Sequence, residues 1–298
     1  MTFAWVPLMV IDMKRCTRET ALRKHVQADL DARKRSEQAA LDAIEQVRSR
    51  VTSVLEAGGP RMVYQPIVDI NSRDVLGLEA LSRFAGGEGP AEWFSSAATV
   101  GLGIDLELSA IRRALSDLRH LPRDVYLSVN VSPDTLADER LIELIASAPD
   151  GRVVLELTEH CAVDDYGPCR AAMEALRPHG VRLAIDDAGA GYASLRHVID
   201  LAPDIIKVDR SLVKGVDVDQ ARRSLFLALV TFAHDLGATL VAEGVESAAE
   251  ARQLSQWGVA LAQGWHFGRP ERLGATSATA RRRTLPAGGV GTRTQTRV

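Results

Sequence analysis

The chain has 298 residues, 46% hydrophobic and 25% charged, a balance that suits one large α/β domain or two smaller ones. Its 36 Lys and Arg against 39 Asp and Glu leave a net charge of -3, which excludes a global electrostatic case for binding DNA or RNA. Three scattered cysteines, Cys16, Cys161 and Cys169, form no C-x-x-C pair; they exclude a disulfide framework and read as free thiols in a reducing cytoplasm.

The opening stretch Met1–Met13 is apolar but interrupted by Pro7 and Asp12, with no basic residue before it and no small-residue cleavage site after it. No run of about 20 apolar residues occurs anywhere, so the expectation is a cytoplasmic chain with neither signal peptide nor membrane span. Pro7–Asp12 reads either as the last strand of a truncated sensor module or as a stray start segment. From Thr17 to Leu55 the chain is rich in Ala, Arg, Glu and Gln and lacks Pro and Gly. Leu41, Ile44, Val47, Val51 and Val54 recur every three or four residues, which predicts a helix with a narrow apolar stripe. A second copy of the chain, or the following domain, would cover that stripe. Gly58-Gly59-Pro60 ends the helix.

Residues 1–57 are therefore expected to form an N-terminal segment and a signalling or coiled-coil-like helix. Residues 58–272 form the main domain. Residues 273–298, with Arg281-Arg282-Arg283, are expected to be a disordered, solvated tail.

In the main domain short β-rich runs alternate with helical patterns. Strands are predicted at Met62–Ile67, Val75–Leu81, Val125–Val131, Val153–Leu157, Val181–Ile185, Ile205–Val208, Thr239–Ala242 and Val259–Ala262. Helices are predicted at Ile104–Leu118, Pro133–Ala146, Pro168–Leu176, Ser194–Leu201, Ala221–Leu236 and Ala248–Trp257. Eight strands with mostly helical crossovers point to an α/β fold, a modified TIM-like (β/α)8 barrel preceded by the N-terminal helix. The link Val68–Asp74 is too short for a helix, so the first two strands should form an antiparallel hairpin. An open doubly wound sheet is the alternative, but no Gly-rich phosphate loop follows the first strand.

Polar residues fall at or near the C-terminal ends of these strands: Glu79, Asn130, Glu156, Asp186-Asp187, Lys207, Glu243 and Gln263. Taken singly, each acid is more often a helix cap or half of a salt bridge. Taken together, five carboxylates against one lysine on the active end of a barrel call for cations. The donors are all oxygen, which favours Mg²⁺ or Mn²⁺ over Zn²⁺, and the adjacent aspartates suit a two-metal site for phosphoester hydrolysis.

The same residues lie in motifs that resemble the EAL domain, the bacterial phosphodiesterase that linearises cyclic di-GMP. These are Tyr64-Gln65-Pro66-Ile67, Glu79-Ala80-Leu81-Ser82-Arg83, Asn130-Val131-Ser132, Glu156-Leu157-Thr158-Glu159, Asp186-Asp187 with its Gly-rich loop, Ile206-Lys207-Val208-Asp209, Ala242-Glu243-Gly244-Val245-Glu246, and Gln263-Gly264 before Phe267-Gly268-Arg269-Pro270. Together they run from about Val63 to Pro270. The resemblance implies a barrel with one antiparallel strand and two metal ions, with Ca²⁺ inhibitory. Glu79, Asn130, Glu156, Asp186 and Asp187 would be the metal ligands. Lys207, Glu243 and Gln263 would act on water or phosphate, with Glu243 the best candidate for proton abstraction. Gln65, Leu81, Arg83 and Pro270 would meet the substrate, Glu159 would hold the loop after the aspartates, and Glu246 would support the site.

Two departures stand out. Ala188 and Ala190 replace the Phe and Thr more usual in that loop, and the segment from Asn130 to Glu156 is short. The implied function is hydrolysis of cyclic di-GMP to the linear dinucleotide by a homodimer. The rival is a receptor that binds the same ligand and turns it over poorly. A metal-dependent aldolase or sugar isomerase on the same barrel fits the acids but lacks a Schiff-base lysine or a His base.

Overall fold

The computed structural model describes residues 6–149, 151–158, 165–188 and 192–273. Glu159, Cys161, the loop 189–191 and the arginine run at 281–283 lie outside the described residues.

The chain begins with one helix, α1 (Val6–Glu56), of 51 residues. Pro7 falls in its first turn, where a missing N–H costs nothing, so neither a strand nor an irregular start stands at Pro7–Asp12. The apolar stripe divides along its length. Val51 is buried with Val47, Val54 and Leu55 against Trp93, Ala97 and Leu106 of the barrel, while Leu30, Leu41 and Ile44 stay exposed. Arg50 reinforces the packed end by pairing with Glu88 and lying 4.6 Å over the Trp93 ring.

Among the described residues eight strands close into a barrel in sequence order: β1 (Arg61–Asp69), β2 (Val75–Arg83), β3 (Tyr126–Val131), β4 (Val153–Leu157), β5 (Arg182–Ala188), β6 (Ile205–Val208), β7 (Thr239–Ala242) and β8 (Leu261–Gln263). β1 runs antiparallel to both neighbours, β2 and β8, and every other pair is parallel. The helices outside are α2 (Pro90–Thr99), α3 (Gly103–Asp117), α4 (Pro133–Leu136), α5 (Glu139–Ala146), α6 (Gly167–Leu176), α7 (Tyr192–Leu201), α8 (Arg210–Val213), α9 (Gln220–Asp235) and α10 (Ala248–Gln256).

Two of the departures from the sequence reading arise from caps. Pro133–Ala146 is two helices, because Ser132 accepts from Thr135 N and Asp138 from Arg140 N, giving two starts where one was expected. Helix α2 was not foreseen. Its Pro90 sits in the first turn and Glu92 accepts from Gly89 N at 3.0 Å, a start signal legible as Gly-Pro-x-Glu.

Strand residues alternate between two cores. Leu127, Val129, Leu155, Leu183, Ile206 and Leu240 face outward and pack with the helices. Ile67, Val154, Ala184, Ile205, Val241 and Leu261 cluster separately and fill the barrel interior. Tyr126 lies deeper in that interior, its ring across Gly77, where a Cβ would fall 2.3 Å from the ring; only glycine leaves room for it.

Candidate active site

One alternation further along each strand, the interior changes character. Glu79, Ser128, Glu156, Asp186, Lys207, Glu243 and Gln263 each stand two residues beyond an interior position of their own strand, at the end where the parallel strands finish. Gln65 joins them from β1, running the other way, two residues before Ile67.

Lys207 is the hub. Its Nζ lies 2.6 Å from Glu243 Oε1, 2.8 Å from Glu156 Oε2, 3.1 Å from Asp186 Oδ1 and 3.9 Å from Glu79 Oε2, with the side chain fully buried. Burial alone would lower the ammonium's pKa, but the carboxylates of Asp186, Glu156, Glu243 and Glu79 outweigh it and raise it well above its usual value.

The acids carry the opposite stress. Burial pushes Glu156 up to about 8 despite Lys207, with Glu79 and Asp186 adding repulsion. Glu243 is raised well above the carboxylate range by burial first, against the pull of Lys207. One ammonium therefore does not balance this group of carboxylates.

Hydrogen bonds fix the remaining members. Ser128 Oγ donates to Glu156 Oε1 at 2.5 Å, and Asn130 Nδ2 to Glu79 Oε1 at 3.3 Å. Gln263 Nε2 donates to Glu79 Oε2 and, at 3.1 Å, to Gln65 Oε1; Gln65 Nε2 donates to Gly268 O at 3.1 Å.

Asp186 and Asp187 are neighbours, and in a regular strand their side chains would face opposite ways. Here the β5–β6 register shifts between Ile185 and Ala188, and Asp187 adopts φ 52, so the bulge turns both carboxylates to one side. A positive φ on a non-glycine residue is strain of the kind found at functional positions. As a result, ligand oxygens from Asp186, Asp187 and Glu243 lie within 4.8 Å of one another. Asp186 Oδ1 is ion-paired with Lys207, but the alignment is too poor for a hydrogen bond, and the oxygen is buried without a donor. An all-oxygen set converging within 4.8 Å, with one Asp186 oxygen buried and without a hydrogen bond, fits a hard divalent cation.

A pocket of about 270 Å³ opens above this layer, and Gln65, Leu81, Lys207, Glu243 and Gln263 are among its lining residues. Arg83 and Pro270 do not line it; Arg83 Nη1 donates to Ser82 O at 2.8 Å. Glu246 lines the rim, ion-paired with Arg210 at 2.6 Å. Sequence reasoning missed three residues. Ser128 was findable, lying two before Asn130 on the same face. Arg210 and Trp265, both on the rim, follow motif residues directly but belong to loops whose direction no periodicity sets.

Among the described residues no helix is long and apolar enough to cross a membrane.

A family model described as the EAL domain matches residues 47–270. The probable cyclic di-GMP phosphodiesterase PdeI of Escherichia coli is 30% identical over 240 residues, 75% of this chain and 30% of that protein. The chain spans about a third of the length of the curated relatives it matches, 37% for a Mycobacterium tuberculosis protein that is 31% identical. Among solved structures, the EAL enzyme Bd1971 with cAMP and cyclic di-GMP bound superposes with a TM-score of 0.73 at 23% identity, covering 94% of this chain and 77% of that one, a likeness of fold. The calcium and cyclic di-GMP complex of Klebsiella pneumoniae BlrP1 is 32% identical with a TM-score of 0.63, covering 71% of this chain and 55% of that one.

Proposed function

The chain belongs to the EAL domain family, and on that footing we propose that it is a divalent-metal phosphodiesterase that opens cyclic di-GMP to the linear dinucleotide pGpG. The observation that carries the reading is the cluster of Asp186, Asp187 and Glu243, brought together by a bulge beside a buried lysine that cannot neutralise its surroundings. The relatives whose names or titles mention cyclic di-GMP support the choice of substrate.

Two Mg²⁺ or Mn²⁺ ions bound there would supply Lewis acidity and a water acidic enough to ionise near neutral pH. Glu79, Asn130, Glu156, Asp186 and Asp187 would hold them. Lys207 keeps its ammonium among these carboxylates and presents positive charge to the phosphate oxygens. Glu243, on the pocket wall 2.6 Å from Lys207, takes up the proton released by the attacking water. Gln263, fixed between Glu79 and Gln65, orients that water. Ca²⁺, with bonds of about 2.3–2.6 Å against 2.0–2.1 Å for Mg²⁺, would occupy the site and misplace the oxygens of an in-line attack.

The exposed upper stripe of α1, at Leu30, Leu41 and Ile44, is the surface through which a second copy would pair, giving a homodimer working in the cytoplasm. Residues 1–57, 58–272 and 273–298 remain our proposed division of the chain.

The test is incubation of purified protein with cyclic di-GMP and Mg²⁺ or Mn²⁺, followed by chromatography. Linear product supports the enzyme; tight binding without turnover would replace it with the receptor reading.

A further inference from the structure

The pocket needs positive charge for an anionic substrate, and two of its lining residues carry one: Lys207 and Arg210. Lys207 shares its charge among four carboxylates. Arg210 does not. Its guanidinium stands on the rim, half exposed, with one Nη bonded to Glu246 Oε1 at 2.6 Å. A guanidinium carries five N–H donors in a fixed fork, so a single carboxylate contact leaves donors for the pocket.

An exposed ion pair is ordinarily decoration, but this one is built into the fold. The stem of Arg210 lies across Gly244, the residue after Glu243. A Cβ there would sit 2.4 Å from Arg210 Cγ, and its φ of 61 disfavours any other residue. Glu250, itself buried, ties together the two loops involved. Its Oε1 accepts from Gly215 N at 3.1 Å, just past the helix that Arg210 begins. Its Oε2 accepts from Glu246 N at 3.0 Å and Ser247 N at 2.9 Å. The position of Arg210 is thus set by Gly244 beneath it, Glu246 beside it and Glu250 behind both.

We propose that Arg210 is a substrate-binding residue that grips an anionic oxygen of the reacting phosphodiester from the rim, with Glu246 as its positioning residue. The inference rests on the phosphodiesterase reading above and deepens it. Bidentate guanidinium–phosphate contact is the chemistry that suits the fork, and it adds Arg210 to the substrate-binding residues that the motif reading gave.

The experiment compares wild type with Arg210→Ala, Arg210→Lys, Glu246→Gln and the Arg210→Ala/Glu246→Gln pair. Two substrates are used with Mn²⁺: cyclic di-GMP and bis(p-nitrophenyl) phosphate, a phosphodiester without a base. Calorimetric binding of pGpG gives a readout independent of turnover. Arg210→Ala should raise KM for both substrates about tenfold or more and weaken pGpG to a similar degree, with kcat within about threefold. Arg210→Lys should recover part of the loss, since a point charge remains. Glu246→Gln should fall between, and the double variant should be no worse than Arg210→Ala, because the two residues act as one unit. Arg119→Ala, an exposed arginine away from the pocket, should change nothing.

Unchanged KM and pGpG affinity would overturn the proposal, as would an equal loss for Arg119→Ala. A loss confined to the dinucleotides would also overturn it, in favour of a guanine-edge contact. If wild type binds the dinucleotides but hydrolyses neither substrate, the phosphodiesterase reading alone fails, and the pGpG comparison still decides for or against Arg210. If wild type binds nothing, both readings fall.

Discussion

Two layers of the barrel interior lie one alternation apart and have nothing chemical in common. The lower, Ile67, Val154, Ala184, Ile205, Val241 and Leu261, is dry and apolar. The upper places Glu79, Glu156, Asp186 and Glu243 around one lysine. Each lower residue stabilises the fold by leaving water, about 1.5–3 kcal/mol for a fully buried Val, Leu or Ile. Each upper residue is a buried ionisable group whose charged form costs stability unless something compensates it. The same strands therefore provide rigidity and then use it, holding mutually repelling groups where water alone would let them separate.

Removing the one internal compensation tests the contrast most severely. Lys207→Met keeps the volume and deletes the charge, so the metal-free protein should lose about 3–5 kcal/mol in urea unfolding, with turnover lost as well. A loss under 1 kcal/mol would mean that the acids are not ionised against Lys207. Next comes Glu79→Ala, which removes a proposed ligand and the acceptor that fixes Gln263 and Asn130. Turnover should fall more than tenfold at saturating Mg²⁺, above ~1.4 kcal/mol in the barrier. Retention of a tenth of wild-type kcat would count against the assignment.

The pH dependence of stability sharpens the comparison further. Glu156 holds its proton more tightly folded than unfolded, its pKa standing at about 8 in the fold. Its proton-linked stabilisation is complete below the unfolded value of about 4.5 and disappears as pH rises toward the folded one. Glu243, also raised, acts in the same sense. Metal-free protein should thus lose Tm from about pH 5 to 8, and Mg²⁺ should flatten the slope by replacing protons with a cation. A metal-free Tm that climbs across this range would refute the account.

In the lower layer, Ile205→Val should cost only about 0.5–1.5 kcal/mol and leave kcat within twofold. The smallest effect belongs to α1. Leu41→Asp should leave Tm within about a degree, since Leu41 is 60% exposed, while weakening any dimer seen by ultracentrifugation. Val51→Asp, buried against α2 and α3, should instead unfold that contact and lower Tm.

What was legible in the sequence divides along similar physical lines. Alternation in Ser128-Val129-Asn130 or Val154-Leu155-Glu156 fixes which side chains look inward, and the short link Val68–Asp74 between the first two predicted strands fixes a hairpin. The order of the barrel and its antiparallel strand follow from such local rules. The shared face of Asp186 and Asp187 does not, because it depends on a bulge and a positive φ that strand periodicity does not express. The stripe on α1 was visible, but not where its coverage stops; that depends on Trp93 and Phe94, which belong to a helix the reading passed over. Arg210 was invisible for a third reason: its importance lies in an absent side chain, at Gly244, thirty-odd residues along the chain.

The long helix has one further consequence. At 1.5 Å per residue, 51 residues make a rod of about 76 Å, whose contacts with the barrel, among the described residues, lie near its C-terminal end. Such an object is a lever with a long free arm. Its fulcrum is the cluster where Val51 meets Leu106, and the next residue, Glu107, accepts from Ser132 N at 2.8 Å, two residues beyond Asn130. Torque on the free arm bears first on α3, and through Glu107 on the strand end that presents Asn130 to Glu79. A rotation of a few degrees at the clamp becomes several ångströms of travel at the far tip, so the geometry gears large, soft movements outside the barrel down to small, stiff ones at the acidic rim.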